Sequence, residues 1–245
     1  MWNRVCLLCL LICPNLALCS DTLTLATSNG PPYMIQSSDS GLDIDIPRAA
    51  LNRAGYKLAI RYMPLARAQV EVQSQRIDLT TPFFRGGTDG LFLSEPHVMY
   101  RPTAFSLASR NLKLVQLGDL KHYRVHTFQG AKGYFGREYV DAISQSPHYE
   151  ERPDMSKLVL SLASGRTDIV VLDYNIFSYF WNRAIGDAQK IQLRAHSIFP
   201  PVAAVAAFNN AEIRDKYNEG LKAIIRDGTH QKLMERHVEL LPLLK

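Results

Sequence analysis

The carboxylate of Asp173 directly follows a predicted buried strand. The run 169–172, IVVL, is rich in β-branched residues and shows no polar alternation, which is typical of a strand covered on both faces in a parallel sheet. In open α/β sheets, ligands bind outside the carboxyl ends of the strands. Asp173 therefore lies where a ligand is expected to bind.

A second candidate site is the loop 82–90, PFFRGGTDG, which follows another predicted strand. Arg85 presents a planar fork suited to a carboxylate, and the neighbouring rings of Phe83 and Phe84 can exclude competing water. The alternative is a flexible surface turn with a solvated arginine, but the position at a strand end favours ligand binding. Tyr33, in the turn-rich loop after the first predicted strand, is a candidate ring at the mouth of the same cleft or a half-buried loop aromatic.

A glycine-rich loop, FQGAKG at 128–133, lies between a predicted strand and a helix predicted over 134–143. Its backbone N–H groups and the start of the helix are suited to binding an anion. It is not a P-loop, because the Gly-x-x-x-x-Gly-Lys-Ser/Thr pattern is absent.

The elements that position these groups include two similar helix–turn–strand units. The stretches 65–82 and 158–173 lie about ninety residues apart, and both turn through Arg-x-Asp, ending at Asp78 and Asp168. This repeat predicts two similar lobes. The stretch 41–46 is predicted to lead into a helix that runs to about Ala54, with Asp43 or Asp45 as its N-cap. Strands are expected at 22–26, 57–62, 77–81, 103–107, 123–127, 169–172, 190–194 and 202–208.

The first twenty residues are predicted to be a secretory signal. They carry one early charge and an apolar run at 5–12, which is too short to span a bilayer. Cleavage after Cys19 would leave Ser20 as the first mature residue. The segment LALC also resembles a degraded lipoprotein box, in which Cys19 would be lipidated, although a leucine directly before the cysteine fits that motif poorly.

Composition limits the chemistry of the mature chain. All four cysteines lie in this leader, so no disulfide, thiol nucleophile or thiolate metal site is expected after it. The 245-residue chain is 47% hydrophobic and 21% charged, with a net charge of +5. Its basic residues are scattered, which argues against nucleic acid as a partner, and its mild positive charge favours small anions.

Taken in order, the motifs resemble those of the bacterial periplasmic solute-binding proteins of the polar amino-acid type, solute-binding protein family 3. The resemblance covers nearly the whole mature chain. It rests on the Pro-Pro-Tyr loop, GLDIDI, Ser94-Glu95-Pro96, the Gly130 loop, SGRTDIVVLD, and a C-terminal NNAEIRDKYNEGLKAIIRDGTHQKL.

The resemblance implies a type II periplasmic-binding-protein-like α/β fold. Two lobes, at 21–104 plus 201–245 and at 105–200, would be joined by two crossing strands and would close on a small ligand. It also implies a periplasmic monomer without cofactors that serves the membrane subunits of an ABC importer.

The family pattern also implies roles for individual residues. Asp173 matches the carboxylate that binds a ligand α-amino group, and Gly130-Ala131 match the loop that donates to the ligand carboxylate, although Ala131 lacks the usual hydroxyl. Gly87 stands where the family places a carboxylate-gripping arginine, so Arg85, two positions earlier, is the first substitute. Arg67, in a segment resembling a less characterised branch, is the second. This departure leaves the ligand open between α-amino acids and other small anions.

Two other functions were weighed. One branch of this fold dehydrates cyclohexadienyl acids, which requires a general acid, but no second acid is apparent near Asp173 in the predicted cleft loops. There is no Glu-x-x-His metal spacing and no Gly-x-Ser-x-Gly elbow. We therefore expect a binding protein without catalytic residues or a metal. The other alternative is a sensor-type binding protein that acts without a transporter.

Overall fold

The computed structural model describes residues 21–84, 90–185 and 191–237. Its strands are β1 (Thr22–Thr27), β2 (Lys57–Tyr62), β3 (Leu79–Phe83), β4 (Phe92–Leu93), β5 (Val98–Tyr100), β6 (Pro102–Leu107), β7 (Arg124–Phe128), β8 (His148–Arg152), β9 (Ile169–Asp173), β10 (Leu193–His196) and β11 (Val202–Phe208). Its helices are α1 (Leu42–Arg53), α2 (Leu65–Gln73), α3 (Ala131–Phe135), α4 (Arg137–Ile143), α5 (Ser156–Ala163), α6 (Tyr174–Ile185), α7 (Ala211–Arg226) and α8 (Thr229–His237). The predicted signal segment and the loop that holds Arg85 lie outside the described residues.

The strands form two separate sheets. The first has the order β2-β1-β3-β11-β4, with β5 also paired to β11, and the second has the order β10-β6-β9-β7-β8. The chain passes from the first sheet to the second at Arg101 and returns between β10 and β11. The α/β fold with two lobes expected from the resemblance is thus confirmed.

The lobe boundaries, 21–104 plus 201–245 and 105–200, remain a proposal, which sheet membership supports except that the first boundary falls inside β6. β1 to β5 and β11 belong to the first sheet, and β6 to β10 belong to the second. We call the parts of the chain around these sheets the first and second lobes. No helix in the described part of the chain has the length and apolar character needed to cross a bilayer.

The two Arg-x-Asp turns perform the same structural task in the two sheets. Asp78 Oδ2 accepts a hydrogen bond of 2.7 Å from the backbone N–H of Thr24. Asp168 Oδ2 accepts one of 3.0 Å from the backbone N–H of Arg124. In both sheets the aspartate lies one residue before the first register pair with the parallel neighbour strand. The sequence repeat therefore corresponds to one packing unit used twice.

Two local predictions were wrong. The single helix predicted over 134–143 is two short helices, α3 and α4, separated by Gly136. The φ of Gly136 is 77°, a left-handed conformation that cannot continue a right-handed helix. The N-cap of α1 is Gly41 rather than an aspartate, and Asp43 is buried in the first turn.

Helices α1 and α7 pack very closely on the first lobe. A Cβ atom added to Gly220 of α7 would lie 2.0 Å from the carbonyl oxygen of Ala50 on α1. The two helix backbones can lie this close together only because Gly220 has no side chain.

Candidate ligand-binding cleft

A cavity of about 560 Å³ lies between the two lobes, where strands of both sheets end. This volume is typical of a small-molecule site. Five aromatic rings contribute to its wall: Phe84, Tyr100, Phe128, Tyr134 and Phe135. Asp173 is the only charged side chain among the described residues that line it. The cavity therefore combines apolar walls with a single negative group.

The Asp173 carboxylate lies at the end of β9 and caps the N-terminus of α6. Its Oδ1 accepts hydrogen bonds from the Tyr33 hydroxyl at 2.9 Å and from the backbone N–H groups of Asn175 and Ile176. Its Oδ2 accepts one bond of 2.6 Å, from the Arg101 backbone N–H. Because each carboxylate oxygen has two acceptor sites, Oδ2 retains one for a ligand.

Burial raises the pKa of Asp173, while the hydrogen bonds from Arg101 and Tyr33 oppose that rise. The loss of hydration thus disfavours the negative charge, and a positively charged partner in the cavity would stabilise it. The environment of Asp173 is suited to a cationic group.

A second buried carboxylate, that of Asp43, is linked to the first through two tyrosines. The Tyr100 hydroxyl donates to Asp43 Oδ2, and Nε2 of His97 lies 2.7 Å from Oδ1. The rings of Tyr100 and Tyr33 stack with centroids 3.9 Å apart. Burial and the nearby carboxylates raise the pKa of both tyrosines. This network was not predicted from the sequence, although an aspartate between Leu42 and Ile44 in an apolar run was a signal for it.

Of the two adjacent phenylalanines, only Phe84 contributes to the cavity wall. Its ring makes edge-on contacts with Tyr100 of the first lobe and Tyr134 of the second, at centroid distances of 5.1 and 5.2 Å. Phe83 packs instead in a separate cluster with Ala68 and other core residues, because successive side chains point to opposite sides of an extended chain. The expectation that both rings bind ligand is therefore not supported for Phe83.

The structure does not place Arg67 in the cavity wall. Its side chain is 69% exposed and pairs with Glu71 at 3.4 Å, although the preceding residues Leu65 and Ala66 do line the cavity. The rival candidate, Arg85, lies outside the described residues.

The glycine-rich loop already has a carboxylate partner from within the chain. Glu151 accepts hydrogen bonds from the backbone N–H groups of Gly130 at 2.8 Å and Lys132 at 3.2 Å, and from the Tyr149 hydroxyl at 2.7 Å. Burial tends to raise the pKa of Glu151, but these hydrogen bonds outweigh burial and lower it. The Gly130 N–H is thus not free to donate to a ligand in this conformation, and Ala131 is buried. Glu151 was missed because no strand was predicted at 148–152.

No family model matches the chain. It is similar to the arginine-binding extracellular protein ArtP of Bacillus subtilis (strain 168), with 23% identity over 218 residues that cover 84% of this chain and 81% of that protein. Among solved structures, an ancestral arginine-binding protein bound to glutamine matches with a TM-score of 0.66 and 22% identity over 88% of this chain and 97% of that one. The GluR0 ligand-binding core in complex with L-glutamate matches with a TM-score of 0.72 and 13% identity over 90% of this chain and all (100%) of the other.

At these levels of sequence identity, the structural matches show only that the fold is shared. The relationship of the chain rests on the sequence similarity along most of its length together with the ordered motifs described above. On that evidence, the chain is similar to the bacterial solute-binding proteins of family 3.

Proposed function

We propose that this solute-binding protein captures a small ligand with an amino group, in the first place an amino acid, and presents it to an ABC importer. The observation that carries the proposal is the position of Asp173 as the single charged side chain among the described residues that line a largely apolar, aromatic cavity between the lobes. A carboxylate attracts a cation more strongly in such a water-poor site than in water. The faces of the surrounding rings add a cation–π contribution.

The names of the similar proteins support this choice of ligand. The sequence relative is named for arginine, and the ancestral protein with the same fold is described as bound to glutamine. Arginine is therefore the first ligand to test, because it combines a primary amine, a second cationic group and a long apolar stem that could lie along the aromatic wall.

The carboxylate of such a ligand needs a separate partner, for which we propose Arg85. Arg85 immediately follows Phe84, which lines the cavity, whereas Arg67 is exposed and paired with Glu71. Substituting Arg85 by alanine or lysine should weaken binding of a carboxylate ligand, because a point charge does not replace a bidentate fork. Loss of binding in Arg67→Ala with unchanged binding in Arg85→Ala would assign the contact to Arg67 instead.

The sequence relative found here is a binding protein, and we propose that this chain likewise has no catalytic activity. Both buried carboxylates are engaged in hydrogen bonds, Asp43 with Tyr100 and His97, and Asp173 with backbone N–H groups and Tyr33. Neither is placed as a free general acid. Incubation with prephenate should give no phenylpyruvate absorbance, and its appearance would contradict this part of the proposal.

A ligand screen by thermal unfolding tests the proposed ligand class. A ligand that binds only the folded state stabilises it by about 2.7 kcal/mol at a hundred times its dissociation constant. Arginine and other amines should raise the melting temperature, whereas small anions without an amino group should not. A response to anions alone would overturn the assignment.

We further propose that the protein acts as a periplasmic monomer after removal of its leader, which size-exclusion chromatography of the secreted protein would test.

A further inference from the structure

Three potential metal ligands converge on one face of the second sheet, at its β8 edge. His126 lies on β7, directly opposite Glu150 on β8 in the parallel register, and His148 lies two residues before Glu150. Alternate residues of a strand share a face, so the three side chains lie on the same side. Glu150 Oε2 is 3.5 Å from His126 Nε2 and 3.6 Å from His148 Nε2.

The His126 imidazole presents an unused acceptor to this cluster. Its side chain is 3% exposed, and its Nε2 is buried without a hydrogen-bond partner among the described residues. The other ring nitrogen, Nδ1, lies 3.1 Å from Ser161 Oγ. Donation of the Ser161 hydroxyl proton to the Leu158 carbonyl at 2.8 Å assigns the proton of the neutral ring to Nδ1, with the serine oxygen as its acceptor. The lone pair of the neutral ring is therefore on Nε2, beside Glu150 and His148.

We propose that His126, His148 and Glu150 bind a divalent transition-metal ion, with Zn²⁺ as the first choice, through two Nε2 atoms and one carboxylate oxygen. Tetrahedral zinc with bonds of about 2.0–2.2 Å holds its ligand atoms about 3.3–3.5 Å apart. The two distances from Glu150 are close to this spacing, and all three ligand atoms lie within 4.8 Å of one another. A water molecule would complete the coordination.

The surroundings of the cluster are compatible with metal binding. Ser161 acts as the outer partner that fixes the orientation and tautomer of a metal-bound histidine. The burial of His126 disfavours a charged ring, and a histidine must be neutral to bind a metal.

One positive group competes for the site. Arg152 Nη2 lies 3.0 Å from Glu150 Oε2, so the metal must share this carboxylate with a guanidinium. A carboxylate has about four acceptor sites on its two oxygens, which allows such sharing. The cluster lies outside the described lining of the cavity, so its metal binding is independent of the proposed ligand function. Sequence spacing could not reveal it, because pairing of β7 with β8 brings together histidines from two strands.

The test is a titration of the full chain with Zn²⁺ by isothermal calorimetry, and with Co²⁺ by visible absorption. The protein is first treated with a chelator, and the cysteines of the leader are alkylated so that they cannot bind metal. The wild type should bind one equivalent, with the cobalt spectrum of a tetrahedral nitrogen and oxygen site. His148→Ala and Glu150→Gln should each weaken binding about 100-fold, and Ser161→Ala about tenfold.

His122→Ala is the matched control, since His122 is an exposed histidine of the same lobe and its loss should leave the affinity unchanged. His148 and Glu150 are 56% and 37% exposed, so their variants should fold, which circular dichroism would verify. Absence of Zn²⁺ and Co²⁺ binding by the wild type would overturn the proposal. Unchanged affinity in both His148→Ala and Glu150→Gln would overturn it as well.

Discussion

The hydroxyl of Tyr33 donates a hydrogen bond of 2.9 Å to Oδ1 of Asp173, and the two residues belong to different lobes. The side-chain amide of Asn175 donates to the same hydroxyl at 3.0 Å. The Asp173 carboxylate, which we propose binds the ligand, therefore also joins the two lobes. A ligand that binds Asp173 would therefore contact a side chain that already links the two lobes.

Tyr33→Phe should lower the free energy of unfolding by about 1.5–3 kcal/mol, the range for hydrogen bonds to a charged group. Tyr217→Phe is the matched control, because the Tyr217 hydroxyl is also buried but has no hydrogen-bond partner among the described residues. Its removal should be neutral or slightly stabilising. Urea unfolding of both variants measures the difference. Equal effects of the two substitutions would show that the bond from Tyr33 to Asp173 contributes no stability.

Asp168→Asn should destabilise the protein in a pH-dependent manner. Hydrogen bonds from Arg124 lower the pKa of Asp168 in the folded state. Its contribution is therefore fully present above the unfolded pKa of about 3.9 and is lost as the pH falls through the folded value. At pH 7 the substitution should cost about 1–2 kcal/mol, because the pair is partly exposed.

The difference between Asp168→Asn and the wild type should vanish in strong acid, as followed by urea unfolding at several pH values. Asp78→Asn is the control in the other lobe, where the aspartate accepts a backbone N–H from Thr24 and the cost at pH 7 should be smaller. A pH-independent cost of Asp168→Asn would contradict the role given to the Arg124 ion pair.

Gly220→Ala should destabilise the first lobe by about 1–3 kcal/mol or more. The new Cβ would lie 2.0 Å from the Ala50 carbonyl oxygen, so α1 and α7 would have to separate. Gly133→Ala is the contrasting substitution, since an added Cβ there meets nothing within 4 Å. It should be neutral or stabilising by up to about 1 kcal/mol from helix propensity. Thermal unfolding of the pair measures both effects, and a tolerated Gly220→Ala would argue against the close helix contact.

Glu151→Ala should increase the preference for ligands that carry a carboxylate. The substitution frees the backbone N–H groups of Gly130 and Lys132, and one hydrogen bond to a charged group corresponds to about a tenfold gain in affinity. The comparison is between arginine and agmatine, which is arginine without its carboxylate. Their affinity ratio should rise in Glu151→Ala but not in the surface control Glu138→Ala. An unchanged ratio would exclude the loop as a carboxylate site.

The contiguous features of this protein could be predicted from the sequence. The strand ending at Asp173 and the repeat of Asp78 and Asp168 each lie within a single stretch of chain, where hydrophobic pattern and turn residues act locally. Both stretches form buried strands with the same turn in each lobe, but β3 begins at Leu79, two residues later than predicted, and β9 pairs antiparallel with β6 as well as parallel with β7.

The contacts that define the candidate site could not be predicted in this way. Asp43 meets His97 and Tyr100 across 54 and 57 positions of sequence. Glu151 reaches Gly130 from a strand whose polar sequence showed no clear alternation. Residues so far apart in sequence come into contact only when separate elements pack together. The local hydrophobic periodicity of each element does not show which elements will pack.

The most direct test of the ligand assignment is the affinity of Asp173→Asn for arginine, or for the amine that the thermal screen selects, measured by isothermal calorimetry. Asparagine caps a helix as well as aspartate, so α6 should form and only the charge is removed. Asp215→Asn, an exposed aspartate on α7, is the matched control. Loss of a buried charge pair costs about 3–5 kcal/mol, so the account predicts binding weakened by at least about 100-fold in Asp173→Asn and unchanged in Asp215→Asn. A dissociation constant equal to that of the wild type in Asp173→Asn would contradict it and leave Asp173 with a purely structural role.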